Sequence, residues 1–188
     1  MHLSSYMILP ALAFAFSTLT TQEFVSSTVA RRESNNARKV SRIHESVARE
    51  FKKAWSISKS GTVRQEGVVL IFRMKDGYYE ARSQGATNQD KSFTFKWHPA
   101  IVAIVHTHPN NSNPRPSGPD QRVADRYGVP IFTITTNGMY VYDPATRKTS
   151  KVMNGLDWLD SANWTPEIYS MLTGRSIFDV PWRISLYL

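Results

Sequence analysis

Two of the chain's five histidines, His106 and His108, stand one residue apart at the end of the apolar run Ala100–His108. In an extended strand, residues i and i+2 project from the same face. Both imidazoles therefore aim at one point while Thr107 turns away. Asp120 follows twelve residues after His108, across the loop "PNNSNPRPSGP". A loop that folds back over the strand end brings that carboxylate to the same point. Two imidazoles and one carboxylate form a three-ligand set, which leaves the fourth tetrahedral position of Zn²⁺ to water, as a catalytic site requires. Zinc in such a site lowers the pKa of water from 15.7 to about 7. The chain has no cysteine, so a thiolate site and a disulfide framework are both excluded. For His-x-His alone, a pair of polar residues on an exposed rim explains the pattern as well as a ligand pair does. Pro109, the loop, Ser117 and Asp120 together favour the metal.

These residues resemble the signature of the JAB/MPN-domain metalloproteases, the JAMM motif, and its bacterial branch in particular. The family pattern is His-[Ser/Thr]-His-Pro, a short loop, then Ser-x-x-Asp. Here it falls on His106, Thr107, His108, Pro109, Ser117 and Asp120, six fixed residue types in fifteen positions. The resemblance spans roughly Gly61 to Met153. The loop from Pro109 to Pro116 has eight residues where the family usually has seven. Ser112 competes for the serine position, but Arg115 then stands where the aspartate belongs, so Ser117 is retained. The resemblance also calls for an upstream glutamate. Glu66 in "RQEGVVLIF" is preferred, with Glu80 in "YYEARS" as its rival. It implies a JAB/MPN-like, cytidine-deaminase-like three-layer domain, with Zn²⁺ held by His106, His108 and Asp120. Glu66 would act as general base and then general acid, and Ser117 would support the oxyanion or orient the water. The implied activity is hydrolysis of a peptide or isopeptide bond.

The surrounding elements must carry those residues. Val40, Ile43, Val47, Phe51 and Trp55 recur at helical spacing, predicting an amphipathic helix over roughly Arg38–Ile57. "EGVVLIFRM" predicts a strand. Asp76-Gly77 predicts a hairpin turn, and a second strand follows over about Tyr78–Arg82. "SFTFKW" alternates and could form a further strand. "AIVAIVHTH" reads as a central strand. "SGPDQRVADRYG" reads as a helix capped at Gly128. "VPIFTITT", "MYVYD" and "KTSKVM" complete the strands, with a turn at Asn137-Gly138. Short helices packed on the core are expected from Trp158 onward. The fold class is mixed α/β, or α+β, with a mixed sheet flanked by helices.

The 188 residues carry a net charge of +8, of which +6 lies between Arg31 and Lys59. That stretch lacks the aromatic interleaving of a single-strand binder. It reads as a solvated helix face rather than a contact for nucleic acid or an anionic surface. Residues 1–30 contain a short apolar run from about Tyr6 to Phe16, with small-residue sites such as Ala11-Leu12-Ala13. The run is too short to span a bilayer and reads as a signal peptide, predicting export to the periplasm or the medium. The alternative is a buried N-terminal helix of a cytoplasmic protein. The remaining divisions are a basic helical region over 31–60 and the JAB/MPN-like domain over 61–188. An exported enzyme would meet peptidoglycan cross-peptides or secreted proteins, and a cytoplasmic one isopeptide-linked conjugates. The competing function is a non-catalytic MPN-like scaffold or binding module. The sequence leaves the oligomeric state open.

Overall fold

The computed structural model describes residues 28–32, 34, 45–87 and 93–174. The apolar run of the expected signal peptide lies outside the described residues. The chain divides into two units, Met1–Arg38 and Lys39–Leu188. In the first, residues 28–32 and 34 are helical. Among the described residues, no helix is long and apolar enough to cross a membrane.

The second unit is built on a six-stranded mixed sheet. Its elements are helix α1 (45–57), then β1 (Gly67–Arg73), β2 (Tyr79–Ala86) and β3 (Ile101–Thr107). Helix α2 (Gly118–Tyr127) is followed by β4 (Ile131–Thr135), β5 (Gly138–Asp143) and β6 (Lys148–Asn154). Two short 3₁₀ turns and helix α3 (Pro166–Thr173) complete the described chain. The strand order is β2-β1-β3-β4-β5-β6. Only the β3–β4 pair is parallel, with α2 as its crossover; the other pairs are antiparallel. This arrangement bears out a mixed sheet with helices on both faces.

Each central strand feeds two cores. In β3, Ala103 and Val105 pack with α1 residues Val47, Phe51 and Trp55 and with Trp158, Trp164 and Leu172. Ile101 and Ile104 belong to a second cluster, with Ala124 of α2, Val129 and Ile131. Burial on both faces explains why β1 and β3 read as nearly continuous apolar runs rather than alternating ones. In α1 the apolar face is buried while Arg49, Lys52 and Lys53 are exposed, and Lys53 pairs with Glu50 at 2.6 Å.

The expected turns are present. Gly77 has φ +81° in the β1–β2 hairpin, where Tyr78 N donates to Asp76 Oδ1. Gly128 caps α2 in the left-handed conformation, φ 66°. The second strand is longer than its prediction, running on to Ala86. The one corrected element is "SFTFKW". Residues 93–98 form no strand. Phe95 and Trp97 instead lie against the α2-side core, and Trp97 stacks on Tyr127 at 4.3 Å. The alternation is that of an extended segment with one buried side, whose rings gain more from the helix than from a sheet edge.

Candidate metal centre

The site forms where β1 begins, β3 ends and α2 begins. In β3 the alternation does what the spacing demands. Thr107 faces the α1 side, fully buried, and His106 and His108 face the α2 side, each 7 % exposed. Their Nε2 atoms stand 3.0 Å apart. His108 lies just past the end of β3 but still pairs with β4, its N–H donating to the Ile134 carbonyl at 3.2 Å. The Asn113 carbonyl lies 2.6 Å from His108 Nδ1. A carbonyl only accepts, so Nδ1 carries the proton and Nε2 offers a lone pair to the site.

Glu66 is buried at the head of β1, where its neighbour Val68 pairs with His106. Three contacts hold it there. Its N–H donates to Thr87 Oγ1 at 2.9 Å, and its carbonyl accepts from Thr87 N at 2.8 Å. The next N–H, from Gly67, donates to Thr107 Oγ1 at 2.9 Å. The side of Thr107 that turns away from the histidines thus fastens the strand that carries the glutamate. Gly67 itself has no room for a side chain, since a Cβ would lie 2.2 Å from the Ala54 carbonyl of α1. Glu80 is excluded from the site. It pairs with Phe72 near the other end of β1 and grips Arg82 with both oxygens at 2.8 Å. That hydrogen bond holds its carboxyl below the usual range despite a small burial effect in the other direction.

Asp120 arrives through helix capping. Ser117 is the N-cap of α2 and Asp120 its N3 residue, joined in a reciprocal capping box. Ser117 N and Oγ both donate to Asp120 Oδ2, at 2.7 and 2.5 Å. The same oxygen lies 3.5 Å from His106 Nε2, and Glu66 Oε2 lies 4.0 Å from it. Burial disfavours the charged form of Asp120. The hydrogen bond and charge of His106, with the Ser117 donors, outweigh that and hold its carboxyl well below the usual range. Burial likewise opposes a charged His106. Asp120 and then Glu66 overcome it, so its pKa is raised.

The donor atoms of Glu66, His106 and His108 lie within 4.8 Å of one another, and all three residues are buried. This group could hold a metal ion. Sequence reasoning missed the supports: Thr87, Thr107, Gly67 and the Asn113 carbonyl. A threonine between two histidines signals its role only once β1 is known to lie beside it. The Ser117 hydroxyl, expected at the oxyanion or the water, donates to Asp120 in this structure. Ser112 is no competitor, since its hydroxyl donates to the Pro109 carbonyl at 2.8 Å. The sequence matches no family model, and no curated protein is similar to it.

Proposed function

We propose that the chain is a zinc-dependent hydrolase of peptide or isopeptide bonds, of the kind the JAMM signature implies. The observation that carries this reading is the convergence of buried Glu66, His106 and His108 on one point, with Asp120 brought beside His106 from a third element. Bonds of about 2.0–2.1 Å to a tetrahedral zinc separate neighbouring ligand atoms by roughly 3.3 Å. The separations of 3.0 Å between the histidines and 3.5 Å from His106 to Asp120 bracket that value. Glu66 Oε2 lies 4.0 Å from His106 Nε2, within reach of a water bound beside the histidines. The donor chemistry suits zinc, and the JAMM resemblance assigns His106, His108 and Asp120 to hold it, with Glu66 left for proton transfer.

Zinc, when bound, supplies Lewis acidity toward a scissile carbonyl and makes water acidic enough to attack near neutral pH. Glu66 accepts the proton of the attacking water and returns it to the departing amine. The Thr87 and Gly67–Thr107 hydrogen bonds keep Glu66 in reach. Asn113 keeps the His108 ring in the tautomer that offers Nε2. Ser117 is a positioning residue that aims Asp120 and starts α2.

The test is a cleavage screen over linear peptides, isopeptide-linked conjugates and peptidoglycan, with and without a chelator. Hydrolysis that stops on chelation and returns with zinc is expected. No hydrolysis of any of them by zinc-loaded protein contradicts the reading and leaves the binding-module alternative.

A further inference from the structure

Two cavities meet at the carboxylates of the site, and their chemistry differs. One, of about 380 Å³, is walled by Phe93, Phe95, Ile104 and Val123 and reaches Glu66 and Asp120. The other, of about 360 Å³, also reaches Glu66 and Asp120 but is lined by Ser112, Asn113, Arg115 and Ser117. Both volumes fall in the range of small-ligand sites. Substrate lying across the shared carboxylates sends one flank into each cavity.

The apolar wall is anchored. Phe93 and Phe95 stack at 6.1 Å, and Phe95 rests on Tyr127 of α2 at 6.3 Å. The wall is apolar and offers no Lys or Arg to pair with an acidic group. The polar wall is anchored as well. Thr133 Oγ1 donates to the Pro114 carbonyl, Thr136 Oγ1 to Asn110 Oδ1 and Asn110 Nδ2 to the Ser60 carbonyl. Arg115 stands on this pinned loop, its N–H donating to Asn113 Oδ1. Among the described residues no carboxylate pairs with its guanidinium. It is the cation of a cavity whose other polar groups are neutral or acidic.

We propose that the site selects a substrate with a large apolar side chain on one flank of the scissile amide and a carboxylate on the other. The apolar group sits against Phe93, Phe95 and Val123, and the carboxylate pairs with Arg115. This selectivity rests on the hydrolase reading above. The carboxylate is either an acidic side chain or the free end of a chain, since both present the same planar pair of oxygens to a guanidinium.

The experiment measures binding of short peptides to zinc-loaded Glu66→Gln protein by calorimetry, so that turnover is not required. The peptides carry Leu or Ala on one flank and Glu or Lys on the other, in both orders, with amidated ends. A further peptide replaces Glu by a residue with a free terminal carboxylate. The Leu/Glu peptide is expected to bind about tenfold tighter than Ala/Glu or Leu/Lys. Val123→Trp in the same background should erase the preference for Leu, and Arg115→Glu should reverse that for Glu over Lys. Zinc content and thermal midpoint confirm that each variant is folded. Tighter binding of the free-carboxylate peptide identifies a chain end as the source, and the opposite order identifies a side chain. Equal or undetectable binding across the set overturns the selectivity. Selective binding with no cleavage of the same peptides by wild type overturns the hydrolase reading instead.

Discussion

At the scale of single residues, the site is a set of hydrogen-bond decisions. Asn113 decides which nitrogen of His108 faces the centre, and Ser117 decides where Asp120 points. Thr107→Val is a test of the hidden support. It keeps the shape and removes the acceptor for Gly67 N, leaving a buried donor unpaired. A loss of about 1–3 kcal/mol in denaturant unfolding is expected, with a fall in turnover because Glu66 is no longer fixed. The charge pair sets a pH dependence. His106 has a raised pKa, so its contribution to metal-free stability is complete below the unfolded value of about 6.5 and fades as pH rises through the folded value. Asp120 has a lowered one, so its contribution holds above about 3.9 and fades as pH falls toward the folded value. Zinc requires neutral imidazole. Thermal melts should therefore show the pair stabilising the metal-free protein most between about pH 4 and 6.5, and a zinc-induced rise in midpoint that grows above it. A zinc effect that shrinks over that upper range contradicts the assignment.

At the scale of elements, three pieces of chain are brought together by ordinary devices. The β1–β3 ladder pairs Val68 with His106, which brings Glu66 to the histidines, the parallel β3–β4 pair continues through His108, and the capping box fixes Asp120 in the first turn of α2. Gly67 leaves no room for a side chain where α1 crosses the head of β1. Gly67→Ala drives a methyl into the Ala54 carbonyl, and a destabilisation of about 1–3 kcal/mol is expected from the forced shift, seen as a lower urea midpoint. Ser117→Ala removes the N-cap and should cost about 1 kcal/mol, while zinc affinity falls because Asp120 loses the hydroxyl donor and keeps only the backbone N–H. Unchanged zinc affinity would show that Ser117 serves the helix alone. The strands, the turns at Asp76-Gly77 and Asn137-Gly138, and the Gly128 cap were legible because each is local chemistry. The histidine pair was legible for the same reason, since period two is a property of one strand. Glu66 was favoured over Glu80 by its neighbours in sequence, but only the β1 register separates them. The extended run of Phe93 and Phe95 misled, because alternation reports one buried side and does not say what buries it.

At the scale of the whole molecule, the basic stretch and the site are separate matters. Arg49, Lys52 and Lys53 lie on the solvent face of α1, and the other face of that helix completes the core above Thr107 and Gly67. Helix α1 thus supports the candidate metal centre through its packed face, with these charges turned to solvent. Binding free energy of zinc adds to folding free energy, by about 2.7 kcal/mol at a hundredfold excess over Kd. A thermal midpoint that rises with free zinc is expected, and His106→Ala should abolish the rise while leaving a folded protein. The most direct test of the central claim compares zinc-loaded wild type with zinc-loaded Glu66→Gln, reading bound zinc and peptide hydrolysis on the same samples. The hydrolase assignment requires one zinc per chain in both, with chelator-sensitive cleavage by wild type and a loss of about a hundredfold or more in the variant. Equal cleavage by the two proteins, or no zinc in either, would contradict it.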